Sequence, residues 1–427
     1  MPSTSRIPAQ PQDAFNDFAR VVADQQLGVV LDLPGRLDAE QLAKAVASLV
    51  EVQPVLGCRF AAEGRRAWHE PVTDAASRAV CVINASDPWT AAVDAAGQPL
   101  ESGDPHLLVT HVRGESNDAL GVRVDHTAAD GQGAKACVEL LAAAFSGAPS
   151  AAVSPAATTE SPDRSWRRLR HAVGLPRMVR CALGRNELPP TWGLPSAGGA
   201  PGRRRHRLVT LPESRFSARR EWGKTQGFTV NDLILAAFYR AMFSALDTPE
   251  GRGMVVRVSF DQRRYLTGGD SMPAACNLSS IEPLTLAAIS GEPFEAAAQR
   301  IHAEMERLKS SSPGLGNALL LELLYRLKGF EATRRDMVAQ MERGQRAGRS
   351  YPFVSNFGVL DAARLRFGDA TPTRAVMLPV AGHPPFAMLG ASSFLGDLTL
   401  SMGFADAETD AAVPSRILEM MAADLAG

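Results

Sequence analysis

Along the first 145 residues, hydrophobic and polar positions repeat with two different periods, which predict strands and helices in turn. An apolar run at 26–33 indicates a strand. Residues 37–52 then place apolar side chains at helical spacing behind Asp38, a residue suited to an N-cap, and so predict a helix. Apolar runs at 107–112 and 119–125 flank a polar stretch that contains glycine and asparagine. This arrangement is typical of an antiparallel hairpin.

The clearest helix start in the chain is at Thr229. Thr229 and Asp232 occupy the N-cap and N3 positions of a capping box, and Phe228 and Leu233 occupy the positions of a hydrophobic staple. Apolar residues at helical spacing continue as far as Met242. Further along, the pattern predicts strands at 254–260, 351–356 and 395–404 and helices at 294–308 and 318–327.

Two polar segments separate these patterned regions. Residues 146–162 are small, polar and proline-containing, which is typical of a linker. A short basic segment follows at 164–185. The 427 residues suit two or three compact units. We therefore predict an α/β protein with an N-terminal subdomain at 1–150, a linker and basic crossover segment at 151–205, and a C-terminal subdomain at 206–427.

Composition narrows the possible functions. The net charge of −1 argues against a general nucleic-acid binder. No uncharged apolar run reaches the roughly 18 residues of a membrane span, and the N-terminus has no apolar signal region. Five scattered cysteines without a CxxC pair argue against disulfides and structural zinc, and favour a cytoplasmic protein. His106 and His111 point to opposite faces of a strand, and His383 is predicted to be a loop residue without a partner, so no metal site is expected.

One local motif combines a histidine, an aspartate and a glycine. His126 ends the predicted hairpin, residues 127–129 form a turn of small side chains, and Asp130 and Gly131 precede an apolar helical pattern at 134–145. A histidine at a strand end suits a general base, because its unperturbed pKa lies near neutral pH. The alternative is a structural turn, in which His126 is hydrogen-bonded locally and Asp130 only caps the helix.

This motif is one of seven stretches that resemble a known superfamily in the same order along the chain. The other six are 35–42 (GRLDAEQL), 53–60 (QPVLGCRF), 229–237 (TVNDLILAA), 260–266 (FDQRRYL), 354–358 (VSNFG) and 396–401 (GDLTLS). Nearly the whole chain thereby resembles the CoA-dependent acyltransferases related to chloramphenicol acetyltransferase and to nonribosomal-peptide condensation domains. The likeness is greatest to free-standing condensation-like proteins and to polyketide-associated or alcohol acyltransferases.

The resemblance implies two chloramphenicol-acetyltransferase-like subdomains that form a V-shaped pseudo-dimer, with an active-site tunnel between them. His126 would lie in the middle of the tunnel as the general base. An acyl group would move from CoA or from an acyl or peptidyl carrier protein to a hydroxyl or amine of a small-molecule acceptor. The acyl-CoA or phosphopantetheinyl thioester would be a co-substrate, with no bound cofactor and no metal. The protein is also expected to be a monomer.

The resemblance further suggests a role for several residues, each of which also has an ordinary structural alternative. Asp130 is expected to pair with Arg263, with Arg264 as the second choice, and so to hold the motif loop. Gly131 is expected to present its N–H to the oxyanion, and a plain turn glycine is the alternative. Three further residues are expected to line the tunnel or to position the oxyanion: Ser355, Asn356 and Asn277.

The sequence also departs from the superfamily pattern. Asp125 stands where condensation domains carry the first of two histidines. Val52 and Gly57 stand where arginines often flank the Pro-Val-Leu segment, and the plant-type Asp-Phe-Gly-Trp-Gly motif is absent. These departures favour a small-molecule transferase over peptide-bond synthesis on a carrier line. The alternative function is a catalytically silent condensation-like protein that binds a carrier protein or another partner.

Positive charge is concentrated in one part of the chain. Residues 161–222 contain fourteen arginines and only four acidic residues. A local positive field of this kind attracts acidic carrier proteins and the phosphates of CoA, so the segment from Arg164 to Arg185 is the predicted donor-docking site. Apolar residues between the arginines predict an amphipathic helix interrupted near Pro176. The alternative is a solvated crossover segment whose arginines reflect composition alone.

Overall fold

The structure is a computed structural model, and it describes residues 6–147, 164–184, 189–190, 192–200, 202–266 and 272–427. Most of the predicted linker at 146–162 therefore lies outside the described residues. Within them, the strands are β1 (Ile7–Pro8), β2 (Gln26–Pro34), β3 (Cys58–Glu63), β4 (Arg66–Pro71), β5 (Val80–Asn84), β6 (Leu107–Arg113), β7 (Asn117–Asp125), β8 (Arg204–Leu211), β9 (Gly253–Asp261), β10 (Ser279–Ala287), β11 (Phe353–Leu360), β12 (Arg374–Leu378), β13 (Ala381–Gly382), β14 (Met388–Phe394) and β15 (Asp397–Ala405).

The helices lie between these strands and at the C-terminal end. They are α1 (Pro11–Phe18), α2 (Ala39–Val52), α3 (Ala75–Arg78), α4 (Pro88–Gly97), α5 (Gly131–Phe145), α6 (Arg167–Val173), α7 (Leu175–Leu183), α8 (Glu213–Thr225), α9 (Val230–Ala245), α10 (Phe294–Ser310), α11 (Leu315–Lys328), α12 (Phe330–Arg346) and α13 (Ala412–Ala426). No helix within the described ranges is both long and apolar enough to cross a membrane.

The N-terminal half is built on a five-stranded sheet with the order β12-β2-β7-β6-β5. The predicted hairpin is confirmed as β6 and β7, which pair in antiparallel register. Strand β2 is buried on both faces. Val29 and Leu31 belong to the core that includes buried residues of α2 and α5, whereas Val30 packs in a second core with residues of α4. Burial on both faces explains why this strand is a nearly continuous apolar run.

The C-terminal half contains a seven-stranded sheet. Its strand order is β10-β9-β11-β14-β15-β13, and β8 also pairs with β15. The predicted helix after Thr229 is confirmed as α9. Thr229 accepts a hydrogen bond from the Asp232 backbone N–H, and the Asp232 carboxylate accepts one from the Thr229 N–H. Helix α9 is buried along most of its length and shares a core with α10, α13 and the inner face of the sheet.

The two halves are joined by more than the crossover segment. Strand β12 lies in the predicted C-terminal subdomain at 206–427, yet it pairs with β2 in the N-terminal sheet. The small third sheet, β1-β4-β3, lies near α12, because Phe330 of that helix packs against Phe18 and Phe60. One strand from the later half of the chain, β12, thus belongs to the sheet of the N-terminal half.

The crossover segment forms two short helices, α6 and α7. The break lies at Gly174, whose φ of +83° is favourable for glycine, and Pro176 falls in the first turn of α7. The predicted interruption near Pro176 is thus confirmed. Helix α7 packs closely on α11, because a Cβ at Gly316 would lie only 2.8 Å from the Cys181 backbone.

Candidate active site

The motif predicted from the sequence lies where β7 leads into α5. Strand β7 ends at Asp125, a turn follows, and α5 begins at Gly131, three residues before the predicted start. Asp130 is the N-cap of α5, and its Oδ1 accepts a hydrogen bond of 2.9 Å from the Gly133 N–H. His126 is half-buried in the turn, and its backbone N–H donates to the Gln25 carbonyl on the approach to β2.

One side of the His126 ring is held by Asn16, a buried residue of α1. The Asn16 Nδ2 lies 2.9 Å from His126 Nδ1 and donates a 2.7 Å hydrogen bond to the His126 carbonyl oxygen. Within the described part of the chain, the other ring nitrogen, Nε2, has no hydrogen-bond partner. The ring is therefore anchored through Nδ1, and Nε2 is the nitrogen available to another molecule.

The backbone carbonyls that follow are held by side chains from two other segments. Asn277 Nδ2 lies 2.9 Å from the His126 oxygen and 3.2 Å from the Thr127 oxygen. Arg164 Nη2 donates to the Ala128 oxygen at 2.7 Å, and Arg164 Nε donates to the carbonyl of residue 275 at 2.8 Å. We call this arrangement of Asn16, Asn277 and Arg164 around the carbonyls of residues 126–128 the loop clamp.

The loop clamp is organised by a buried carboxylate, Asp13. Its Oδ1 accepts from Asn277 Nδ2 at 2.8 Å, and its Oδ2 accepts from Arg164 Nη1 at 3.0 Å. Burial opposes ionisation, but the charge of Arg164 and the hydrogen bonds from His69 and Asn277 outweigh it and lower the pKa of Asp13 to about 2. Asp13 is therefore ionised at neutral pH, and its charge is compensated by Arg164.

Two buried histidines extend this polar cluster away from the motif. His69 Nε2 lies 3.1 Å from Asp13 Oδ2, and His69 Nδ1 lies 2.9 Å from His106 Nε2. Burial, followed by the charge of Arg164, lowers the pKa of His69. Burial lowers the pKa of His106 to about 3. Both rings are consequently neutral near pH 7, as expected for imidazoles removed from water.

Asp125 has a structural role where condensation domains carry an additional histidine. Its Oδ2 accepts from Arg20 Nη2 at 2.7 Å, and its Oδ1 accepts from both the N–H and the hydroxyl of Thr127. Burial alone would raise the pKa of Asp125. The charge of Arg20 and these hydrogen bonds instead hold it well below its ordinary value. Asp125 therefore fixes the start of the turn and is ionised at neutral pH.

Asp130 and Arg263 form the contact that the resemblance implied. Arg263 Nη1 donates to Asp130 Oδ2 at 2.9 Å, and the same oxygen accepts from the Leu278 N–H at 2.7 Å. Burial disfavours the charge, but Arg263 and the hydrogen bonds from residues 133, 263 and 278 outweigh it and lower the pKa of Asp130. The second choice, Arg264, is exposed and stacks at 5.7 Å over Tyr265.

Gly131 lies directly against a ring of the C-terminal sheet. A Cβ at this position would lie 2.7 Å from Cδ1 of Phe357, a residue of β11, so this approach requires glycine. Gln132 Nε2 also donates to the Phe357 carbonyl at 3.1 Å. Within the described residues, the Gly131 N–H has no hydrogen-bond acceptor. The first turn of α5 is therefore packed on β11. Its Gly131 N–H remains available to donate to another molecule.

The other predicted site residues have different environments. Ser355 and Asn356 are half-buried on β11, on the segment that reaches Phe357. The Ser355 Oγ lies 3.1 Å from the Ser259 Oγ, and the Asn356 Oδ1 accepts from the Gly358 N–H at a bulge of the strand. Asn277 is buried, and three acceptors compete for its two amide hydrogens. Its amide therefore has no hydrogen left for a substrate oxyanion, and it positions the loop instead.

Two other sequence predictions need correction. Arg164 is not part of an exposed basic surface, because only 4% of its side chain is exposed and it belongs to the loop clamp. His383 was expected to have no partner, yet its Nδ1 lies 2.7 Å from Glu408 Oε2 and its Nε2 lies 3.8 Å from Asp24 Oδ1. Arg164 lies before the first helix of the crossover segment and His383 lies outside the helices and strands, so no helical or strand pattern indicated the partners of either residue.

The structure also reveals site residues that the sequence did not indicate. Asn16 and Asp13 lie on one short helix, α1, which carries no recognisable motif. They approach His126 only because the N-terminal segment folds back onto the motif turn. Among the described residues, no group of three or more histidine, cysteine, aspartate or glutamate side chains is arranged to hold a metal ion.

Comparisons with known proteins bear on the fold. No family model matches the sequence, and no curated protein matches it. Several solved structures match over almost the full length of both chains. Polyketide synthase associated protein 5 from Mycobacterium tuberculosis matches with a TM-score of 0.66 and 16% identity, covering 99% of this chain and 98% of that one.

Two further structures match to a similar degree. The first condensation domain of the CDA synthetase has a TM-score of 0.68 and 18% identity, with coverage of 100% of this chain and 97% of that one. The trichothecene 15-O-acetyltransferase TRI3 from Fusarium sporotrichioides has a TM-score of 0.68 and 13% identity, with coverage of 98% and 95%. The resemblance predicted from the sequence is thus confirmed for the fold: the chain adopts the architecture of two chloramphenicol-acetyltransferase-like subdomains found in condensation domains.

Proposed function

We propose that the protein is an acyltransferase that moves an acyl group from a phosphopantetheine thioester to a hydroxyl or amine. The observation that carries this proposal is the half-buried His126, which is anchored through Nδ1 and has Nε2 unpartnered among the described residues. Its place at the end of β7, in a fold shared with condensation domains and an acetyltransferase, is consistent with acyl transfer.

The reaction places definite demands on the residues around His126. The acceptor attacks the thioester carbonyl carbon as His126 takes the acceptor's proton, and a tetrahedral oxyanion forms. The oxyanion then collapses and the C–S bond breaks. His126 returns the proton to the departing thiolate. The Gly131 N–H is the proposed oxyanion donor, because it lies in the first turn of α5 and has no other acceptor in the described structure. Asp130 and Arg263 hold that turn in place.

The first experiment asks whether His126 is needed for transfer. We expect His126→Ala to lose about 10²–10⁴-fold in rate, the range typical of a lost general base, with a melting temperature close to that of the parent. Acyl transfer is measured by intact mass with a panel of CoA and carrier thioesters and candidate acceptors. His383→Ala, a histidine outside the motif, is the matched control. Parent-like turnover in a folded His126→Ala variant would refute the catalytic assignment.

A second, more specific part of the proposal concerns how the acyl donor is bound. Helix α6 carries Arg167, Arg168 and Arg170, of which Arg167 is exposed and the other two are half-buried. We propose that this helix attracts the anionic donor, either CoA or an acidic carrier protein. Steering by exposed charges weakens with salt, because they are screened within about 10 Å at 0.1 M.

The corresponding experiment measures donor kcat/KM against ionic strength. We expect a steep fall for the parent and a flatter profile for Arg167→Glu/Arg168→Glu/Arg170→Glu. Arg335→Glu/Arg343→Glu/Arg349→Glu, at three exposed arginines outside α6, is the control that changes the net charge by the same amount. Identical flat profiles for the parent and the triple variant would show that the helix has no part in donor capture, and would leave the His126 experiment unaffected.

A further inference from the structure

Helix α11 is apolar on nearly all sides, yet only part of it is covered. Seven of its 14 residues are leucine, and a helix of this composition is ordinarily buried all round. Leu315 and Leu319 are buried in a small core that they share with residues of α6 and α7. Four other leucines are exposed at the i, i+3, i+4 and i+7 spacing of a single helical face, namely Leu320, Leu323, Leu324 and Leu327. An exposed apolar face of this kind marks a place where another molecule binds.

Helix α7 lies against the beginning of this face. Gly316 is about one helical turn before Leu320 and on the same side of α11. A Cβ at Gly316 would lie 2.8 Å from the Cys181 carbonyl oxygen and 2.9 Å from the Ala182 nitrogen. The residue after Ala182, Leu183, is largely exposed at the C-terminal end of α7, so it extends the apolar face onto a second helix. We call the side chains of these five exposed residues the leucine surface: Leu183, Leu320, Leu323, Leu324 and Leu327.

Positive charge borders the leucine surface. Residues 164–184 hold six arginines and no acidic residue, and five of these arginines lie on α6 and α7. On α7, Arg177 and Arg180 are exposed, and neither forms an ion pair with a described residue. At the C-terminal end of α11, Arg326 and Lys328 are also exposed, but each is paired with a carboxylate. Uncompensated positive charge therefore lies on the α7 side of the leucine surface.

We infer that the leucine surface binds the protein to the face of an anionic phospholipid bilayer. The exposed leucines enter the boundary between the head groups and the acyl chains, and the arginines of α7 contact the negatively charged head groups. Helix α11 has 14 residues, fewer than the roughly 20 of a membrane span, so it lies along the bilayer and does not cross it. This inference goes beyond the proposed acyl transfer and does not depend on it.

The composition of the leucine surface favours a bilayer over a protein partner. All five of its side chains are leucine, whereas the residues that dominate protein–protein binding are enriched in tryptophan and tyrosine and poor in leucine. A second copy of the chain is also disfavoured. The two patches in a symmetric dimer are identical, so the arginines of one α7 would face those of the other and repel them. A bilayer needs no matching shape and presents negative charge over its whole surface.

Sedimentation of the full-length protein with phospholipid vesicles tests the inference. The vesicles are phosphatidylcholine alone, or phosphatidylcholine and phosphatidylserine in a ratio of about 7:3. We expect the parent to bind the mixed vesicles several-fold more tightly than the neutral ones, and this preference to weaken as salt rises.

Leu323→Ser/Leu327→Ser should weaken binding to the mixed vesicles by about tenfold or more. These side chains are 44% and 75% exposed, so together they offer the bilayer about as much apolar area as one whole leucine. The matched control is Ile289→Ser/Leu395→Ser, which removes two apolar side chains of similar exposure, 45% and 61%, outside α7 and α11. It should bind as the parent does.

A second variant tests the charge and leaves the leucines in place. Arg180→Gln should bind the mixed vesicles about fivefold more weakly, the loss typical of one basic residue at an anionic surface, and should bind the neutral vesicles as the parent does. Arg349→Gln, at an exposed arginine outside α6, α7 and α11, is its control. If the leucine variant does not fold, the parent and Arg180→Gln still decide.

Three results would overturn the inference. The first is a parent that does not sediment with the mixed vesicles. The second is a loss of binding in the control variants that equals the loss in the test variants. The third is a dimer, or a complex with a purified acidic carrier protein, that Leu323→Ser/Leu327→Ser abolishes, because the leucine surface would then be a protein interface. The vesicle assay uses neither thioester nor acceptor, so its failure and failure of the acyl-transfer assay are separate outcomes.

Discussion

The ion pair between Asp130 and Arg263 offers the sharpest test of how the motif turn is held. Asp130 is 1% exposed and accepts three hydrogen bonds, from the Gly133 N–H, the Leu278 N–H and Arg263 Nη1. Asp130→Asn keeps an oxygen for the cap of α5. Its NH2 group, however, would face the Leu278 N–H and Arg263 Nη1, which are both donors. Removing one partner of a buried pair typically costs about 3–5 kcal/mol, and we expect a loss of that size in the free energy of unfolding.

The reciprocal change should cost at least as much. Arg263→Gln leaves the buried Asp130 carboxylate with two backbone donors but without a counter-charge, so a loss of about 3–5 kcal/mol is again expected. The double variant should lose less than the sum, because residues in one ion pair typically couple by about 0.5–3 kcal/mol. Arg264→Gln, the exposed neighbour, is the matched control and should change stability by about 0.5 kcal/mol at most.

The assay is urea unfolding followed by tryptophan fluorescence and by far-ultraviolet circular dichroism, and coincident curves justify a single free energy. The pH dependence gives a second check. The lowered pKa of Asp130 means that the pair stabilises the fold above the ordinary carboxyl pKa of about 3.9 and loses this contribution as the pH falls through the lowered value. Strictly additive losses in the double variant would refute the coupling of Asp130 to Arg263.

Two further predictions concern contacts between the halves of the chain. The carboxylates of Asp24 and Glu408 raise the pKa of His383 despite its partial burial, so its stabilising contribution should be full below about pH 6.5 and should fall as the pH rises through the raised value. Melting temperatures of the parent and His383→Gln should therefore converge with rising pH, and a constant difference would contradict this. Gly131→Ala should cost about 1–3 kcal/mol, because its Cβ would meet the Phe357 ring at 2.7 Å, and Gly131→Ala/Phe357→Leu should recover part of the loss. An unchanged melting temperature in the single variant would contradict the close contact.

The sequence predicted the elements and contacts whose determinants are local or belong to the quoted motifs. The helix after Thr229 is specified by a capping box within four residues, and the structure contains both of its hydrogen bonds. The hairpin β6–β7 follows from two apolar runs and a short polar turn. The pairing of Asp130 with Arg263 joins residues 133 positions apart, and it was expected from the superfamily pattern rather than from spacing.

The remaining site residues could not be predicted because their partners are distant in sequence and their own segments carry no pattern. Asn16 meets His126 across 110 positions, Arg164 meets Asp13 across 151, and Asn277 meets Asp13 across 264. Such contacts depend on how whole segments pack. A buried polar residue in a short helix or a loop has the same local sequence appearance as an exposed one.

The loop clamp also affects how losses of activity should be interpreted. The carbonyls of residues 126–128 are held by side chains from α1, from the start of the crossover segment and from the loop before β10. A substitution at Asp13 would release two members of this clamp at once, so it can move the His126 ring without touching a substrate. Because precise placement of a reacting group contributes strongly to rate, such a variant would lose turnover as a catalytic variant does. Only a readout on the ring itself, such as the nitrogen-15 NMR signals of His126, separates the two cases.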